Sequence, residues 1–158
     1  VAAGSSAAAG RPVLLTSRTG VPEATIAALM ALKITSVTVV GSAVAIPEGT
    51  LAVLAKAGVT HRTRVVGSDR WTTAVAIANA FAGRVPTDRV VLASGMEAGA
   101  DLLIASGQAR TIMLTGTDEL PAVTVQWLST HGSATVSLVA GPSAVHTAVL
   151  RATQTARG

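Results

Sequence analysis

The side chains best equipped for chemistry lie together in eleven residues, 64–74, which read R-V-V-G-S-D-R-W-T-T-A. Arg64 and Arg70 can each present planar, bidentate donors to a carboxylate or a phosphate. Asp69 can accept hydrogen bonds, and Trp71 can stack on a sugar ring. Each of these groups also has a structural use. Gly67 permits a tight turn, after which Ser68 or Asp69 can accept from the exposed N–H groups that open a helix. Trp71, Ala74 or Val75, Ala78 and Phe81 recur at helical spacing, setting an indole and a phenyl on one buried face. Packing is therefore the first reading of Trp71. Pairing with Asp69 or a neighbouring acid is the first reading of Arg64 and Arg70.

Other reactive groups are scattered. The three histidines, His61, His131 and His146, stand far apart with no pair at i,i+4 and no acid at ligand spacing, so no metal site is expected. Cysteine is absent, which removes disulfides, thiolate ligands and a thiol nucleophile. Gly41-Ser42 and the stretch 95–99 follow apolar runs, where a dinucleotide site would sit. Neither contains the Gly-x-Gly-x-x-Gly or Gly-Lys-Ser/Thr pattern. Ser94-Gly95 lacks the flanking residues of a nucleophile elbow. Asp69, Asp101, Asp118 and Glu119 fall at expected helix starts, where carboxylates stabilise unpaired N–H groups. No catalytic residue and no cofactor are expected.

The elements that must position these residues alternate. Strands are predicted at 13–16, 37–40, 89–93, 111–115 and 135–139, with a short extended piece at 62–66. Helices are predicted at 22–33, 47–57, 70–82, 97–109, 121–131 and 143–156. Strands alternating with helices imply a parallel sheet, and short apolar strands without clean alternation imply cover on both faces. Pro22, Pro47 and Pro121 sit where a first helical turn tolerates a missing N–H. A shift of 99 residues lays Val13-Leu14-Leu15-Thr16 over Ile112-Met113-Leu114-Thr115, Pro22 over Pro121, Thr25 over Thr124, Leu29 over Leu128 and Val37 over Val136. The chain thus contains an internal repeat.

Residues 64–74 resemble the opening of the bacterial cell wall binding repeat 2 family. That pattern is Arg, two spacers, Gly, one spacer, Asp-Arg, an aromatic, one spacer, Thr-Ala. Arg64, Gly67, Asp69, Arg70, Trp71, Thr73 and Ala74 match each fixed place. The stretch 90–103, V-V-L-A-S-G-M-E-A-G-A-D-L-L, is similar to the family's strand, Ser-Gly turn and Asp-Ala-Leu helix, with Asp101 in place and Leu102 where the family carries Ala. The run from 101 to 115 is a few residues shorter than the family's. Leu-Thr at 15–16 and 114–115, followed by a polar turn and Pro, matches a further family segment in both copies. The resemblance implies tandem Rossmann-like or flavodoxin-like α/β modules that pack on one another. Residues 1–63 would be the C-terminal part of one repeat, and 64–158 a complete one. It also implies a non-catalytic role, anchoring a secreted or surface protein outside the cell to anionic polymers of the Gram-positive wall, teichoic acid-like or acidic polysaccharide.

Composition is compatible with that partner. Twelve basic residues against eight acids give +4, and ten of the twelve are Arg, Lys33 and Lys56 being the others. Cations near strand ends and loops suit a polyanion, which makes Arg18, Arg62, Arg64, Arg70 and Arg110 the candidate polymer contacts. Gly67, Asp69, Trp71, Thr73, Ala74 and Asp101 are expected to serve the fold. With 49% apolar but only 2% aromatic residues, the core must be built from Ala, Val, Leu and Ile. No apolar run is long enough to span a bilayer. No signal peptide is visible in the first ten residues, so the chain is expected to be a piece of something longer. No nucleic acid partner is expected. Two alternatives remain open: a homo-oligomeric surface assembly element, and a Rossmann-like small-molecule binding protein.

Overall fold

The computed structural model describes residues 5–6, 9–96, 110–141 and 145–156. The chain divides into two compact units, Leu14–Val66, and Val1–Val13 together with Gly67–Gly158. The boundary falls inside the 64–74 stretch.

In the Leu14–Val66 unit, α1 (Glu23–Ala31) leads to β1 (Ser36–Val40), α2 (Glu48–Leu51) with a 3-10 continuation (Ala52–Ala57), and β2 (His61–Val65). The two strands run parallel, from Ser36 opposite His61 to Val40 opposite Val65. Leu29, Val39, Leu51, Leu54, Ala57 and Val59 close the core between them and the helices. Pro22 stands at the N-cap of α1 with Glu23 in the first turn, where a carboxylate offsets the positive end of the helix. The helix ends in a Schellman pair, Lys33 N to Met30 O at 3.0 Å and Ile34 N to Leu29 O at 2.9 Å. Closing that pair forces Lys33 to φ 52°, a left-handed conformation that costs any residue with a Cβ.

The second unit contains α3 (Arg70–Ala80), β3 (Arg89–Ser94), β4 (Thr111–Thr115), α4 (Ala122–Ser129), β5 (Thr135–Val139) and α5 (Thr147–Ala156). Its sheet has the order β4-β3-β5, all parallel. This is the opening order of a doubly wound, flavodoxin-like sheet. Val90, Leu92 and Met113 meet Trp127, Leu128 and Val149 on one face. Val91, Ala93, Ile112 and Leu114 meet Trp71 and Ala74 of α3 on the other. The α/β class, the parallel sheet and the cover on both faces are as the alternation predicts. The absence of strict alternation in β3 follows from that double burial.

Hydrogen bonds recur at the same 99-residue shift. Thr25 Oγ1 donates to Leu15 O at 2.7 Å, and Thr124 Oγ1 to Leu114 O at 3.0 Å. Each couples the first turn of a helix to the chain entering it. Ser17 N donates to Gly20 O at 3.1 Å, and Gly116 N to Glu119 O at 3.1 Å. β1, displaced by 99, coincides with β5 end to end.

Several boundaries differ from expectation. Residues 13–16 form no strand, although their counterpart is β4. Among the described residues no strand pairs with 13–16, whereas β4 is hydrogen-bonded to β3. The extended piece at 62–66 is a true strand, β2, because β1 pairs with it. The predicted helix 47–57 is α-helical only to Leu51 before tightening to 3-10 geometry, and it stops at Gly58, φ 89°. The helix expected at 97–109, and Asp101 within it, lie outside the described residues, as do 143 and 144 of the last predicted helix.

Lys33→Gly should raise stability by about 1 kcal/mol in urea denaturation, because glycine enters the left-handed region without strain. An unchanged or lower midpoint would show that the Schellman turn carries no such strain.

Candidate functional site

The signature residues fasten the start of α3 to the carboxyl end of β3. Asp69 is the N-cap, extended at φ −144°, and its carboxylate accepts from Thr72 N at 2.7 Å. Thr72 Oγ1 in turn accepts from Asp69 N at 3.0 Å, completing a capping box. Gly67 N donates to Thr73 Oγ1 at 2.9 Å, drawing the turn against the helix. A Cβ on Gly67 would stand 2.5 Å from both Thr72 C and Thr73 N, so no larger residue fits without moving backbone. Arg70 Nη1 donates to Gly95 O, just beyond β3. Trp71, half-buried, lies over Gly95 so closely that any Cβ there would enter the ring. Ala74 is buried against the sheet face formed by Val91, Ala93, Ile112 and Leu114.

Arg64 belongs to the other unit. From β2 its Nη1 donates to Gly41 O at 2.7 Å, while Nη2 donates to Ile46 O at 2.9 Å and to Glu48 Oε1 at 2.5 Å. Only 21% of its side chain is exposed. The hydrogen bond from Arg64 holds the Glu48 carboxyl below its ordinary pKa, against a smaller opposing effect of desolvation. Arg62, two residues earlier on the same face of β2, donates through Nη1 to Leu51 O at 2.8 Å. The two guanidinium groups thus bind the helix that follows β1 to the neighbouring strand. Arg18 is exposed on the turn after 13–16. Arg110, partly buried, immediately precedes β4 and so sits at the amino end of the strands. Within the Leu14–Val66 unit, Arg62 and Arg64 share β2 and Arg18 lies on a separate turn; within the other unit, Arg70 donates at the carboxyl end of β3 while Arg110 precedes β4 at the amino end.

The histidines acquire partners that their spacing does not announce. His146 Nδ1 lies 2.6 Å from Asp118 Oδ1, linking two loops at the carboxyl end of the sheet. Asp118 therefore does not cap α4, whose N-cap is Pro121. His131 stacks on Trp127 with ring centroids 3.8 Å apart, and Trp127 Nε1 donates to Asn79 Oδ1 at 3.1 Å. The i,i+4 spacing of Trp127 and His131 is the one sequence signal for that stack. Nothing local signals the His146 pair. His61 lies exposed at the start of β2, its Nδ1 2.9 Å from Thr60 Oγ1. Among the described residues no three acids or histidines assemble into a metal-binding group. Among them no helix is long and apolar enough to cross a membrane.

A family model described as Cell wall binding domain 2 matches residues 64–150, more than half of the chain, and the chain belongs to that family. It is accordingly a cell wall-binding module of a wall- or surface-associated protein. Two solved structures from Clostridium difficile share the fold. Cwp6 matches with a TM-score of 0.85 at 24% identity, over 96% of this chain and 24% of that one. Cwp8 matches with a TM-score of 0.74 at 23% identity, over 96% of this chain and 26% of that one. The chain thus spans about a quarter of the length of either. No curated protein matches it.

Gly95→Ala should destabilise the protein by about 2 kcal/mol in urea denaturation, since the methyl group must displace the Trp71 ring. Most of that loss should return in Gly95→Ala with Trp71→Leu, and no recovery would place the strain elsewhere. A second expectation concerns acid. The amide of Thr72, followed by its hydroxyl, holds the Asp69 carboxyl below its ordinary pKa of 3.8. A carboxyl with a depressed folded-state pKa contributes fully above the unfolded value and loses that contribution as pH falls through the folded one. The melting temperature of the wild type should therefore fall more steeply below about pH 4 than that of Asp69→Asn. Parallel curves would show that the cap is not ionised.

Proposed function

We propose that this chain is a non-catalytic anchor, holding a secreted or surface protein outside the cell by contact with an anionic polymer of the Gram-positive envelope, teichoic acid-like or acidic polysaccharide. Membership of the Cell wall binding domain 2 family carries the reading as far as the wall. The step to an anionic polymer rests on charge: a net +4 supplied mainly by arginine, whose guanidinium matches phosphate and carboxylate geometry. The candidate contacts are Arg18, Arg62, Arg64, Arg70 and Arg110. The non-catalytic reading is supported by the way the signature is used, its Asp, Gly and Trp being engaged in a cap, a turn and a packing contact.

We read residues 1–63 as the later part of one repeat and 64–158 as a complete repeat. The coincidence of hydrogen bonds and strands at the 99-residue shift supports two tandem copies of one module. Neighbouring repeats are then natural packing partners. Association between copies is a second reading, favoured by the exposure of Val13, Leu14 and Leu15 at 46%, 37% and 76%. Light scattering separates it, a strict monomer counting against it.

The purified chain should sediment with isolated Gram-positive walls. It should cease to do so when acidic polymers are extracted or when salt is raised, because binding to a polyanion releases counterions. Undiminished binding to extracted walls would exclude the polymer as the ligand.

A further inference from the structure

We infer that the turn 17–20 of the Leu14–Val66 unit is the contact for an acidic group of the wall polymer, a phosphate or a carboxylate, with Arg18 as its cation; this rests on the polyanion reading above. The turn has a counterpart built on the same hydrogen bonds. Ser17 N to Gly20 O and Gly116 N to Glu119 O both measure 3.1 Å. Thr16 Oγ1 to Gly20 O measures 3.3 Å, and Thr115 Oγ1 to Glu119 O measures 3.2 Å. Two copies of one scaffold can therefore be compared residue by residue.

Their charges are opposite. Arg18, Thr19 and Gly20 stand where Thr117, Asp118 and Glu119 stand in the other unit. Two carboxylates repel an anion from the 116–119 turn, and His146 N further donates to Thr117 O at 2.8 Å while its ring engages Asp118. The 17–20 turn contains no acid. Glu23 follows it in the first turn of α1, and Glu48, near the contacting Thr50, is already paired with Arg64.

The turn is also held in place before any ligand arrives. Thr50 Oγ1 donates to Arg18 O at 2.8 Å, Ser17 Oγ donates to Gly20 O at 2.9 Å, and Gly20 N lies 3.1 Å from Ser17 Oγ. Fixing the backbone in advance lowers the ordering cost of binding. The backbone N–H groups of Arg18 and Thr19 have no acceptor among the described residues, and successive free amides beside a guanidinium suit an oxyanion. Arg62, Arg64 and Arg70 each already donate to a backbone carbonyl. The Arg18 guanidinium makes no such bond among the described residues.

Sedimentation with isolated walls across a salt series tests the assignment, using wild type, Arg18→Ala, Arg18→Lys and, as an exposed cation on α5, Arg151→Ala. Arg18→Ala should weaken binding about fivefold at low salt, the loss expected for one exposed charge-assisted contact. It should also reduce the slope of log affinity against log salt by roughly one unit. Arg18→Lys should recover part of both, and Arg151→Ala should behave as wild type. All four should melt alike. If wild type loses binding on polymer-extracted walls while Arg18→Ala keeps wild-type affinity and salt slope, the turn is not the contact and the polyanion reading stands. If wild type binds extracted walls undiminished, the polyanion reading falls and takes this assignment with it.

Discussion

β3 has a hydrogen-bonded strand along each edge and apolar side chains on each face, and the larger unit is organised around that double burial. A parallel strand cannot return through a tight turn, so each crossover must climb over the sheet and be fastened where it meets a strand end. The fastenings are specific. Thr124 ties α4 to the last residues of β4, and Arg70 with Trp71 ties α3 to Gly95 beyond β3. Because β3 is buried from Val90 to Ser94, any displacement at its carboxyl end is transmitted to two strands and two helical layers. The severity of the requirement at Gly95 follows from this.

The same constraint explains why a signature rich in charged and aromatic residues is poor in free chemistry. Asp69 is occupied with the amides of α3, Arg70 with a backbone carbonyl and Trp71 with a glycine at which any Cβ would displace the ring. Arg64, at the head of the signature, belongs physically to the preceding unit, where it and Arg62 bind a helix to β2. Guanidinium serves well here because one side chain can satisfy several carbonyls at once, as Arg64 does for Gly41 and Ile46. On the proposed polyanion reading, Arg18 is distinguished among the candidate contacts because its turn differs in charge from the matching turn of the other unit.

Legibility from the sequence was uneven for identifiable reasons. The alternation of Pro- and Gly-bounded apolar runs placed β1, β3, β4 and β5 within a residue or two, because those cues depend on local backbone chemistry. The extended piece at 62–66 looked marginal, since Arg and Thr dominate it and its stability comes from β1 across the ladder. Conversely, 13–16 has the composition of a strand and, among the described residues, none of the pairing. Strand propensity describes fitness for a ladder without supplying the neighbour that completes it.

Turn and packing roles in 64–74 are legible from residue type, because an indole in register with alanines has few uses on a helix, whereas the cap, open between Ser68 and Asp69 in the sequence, is fixed on Asp69 by its bonds to Thr72. Pairings across long separations are not legible in that way. Asp118 reads as a helix cap until His146, 28 residues away in sequence, is found against it. Arg18 and Thr117 occupy matching turns whose opposite charges are written in the sequence, yet only the folded chain shows that a histidine engages the acidic one. Residue chemistry is a local property, legible in one dimension. Whether a charged group is spent on its own backbone or left for a ligand depends on which atoms the crossovers bring within hydrogen-bonding distance.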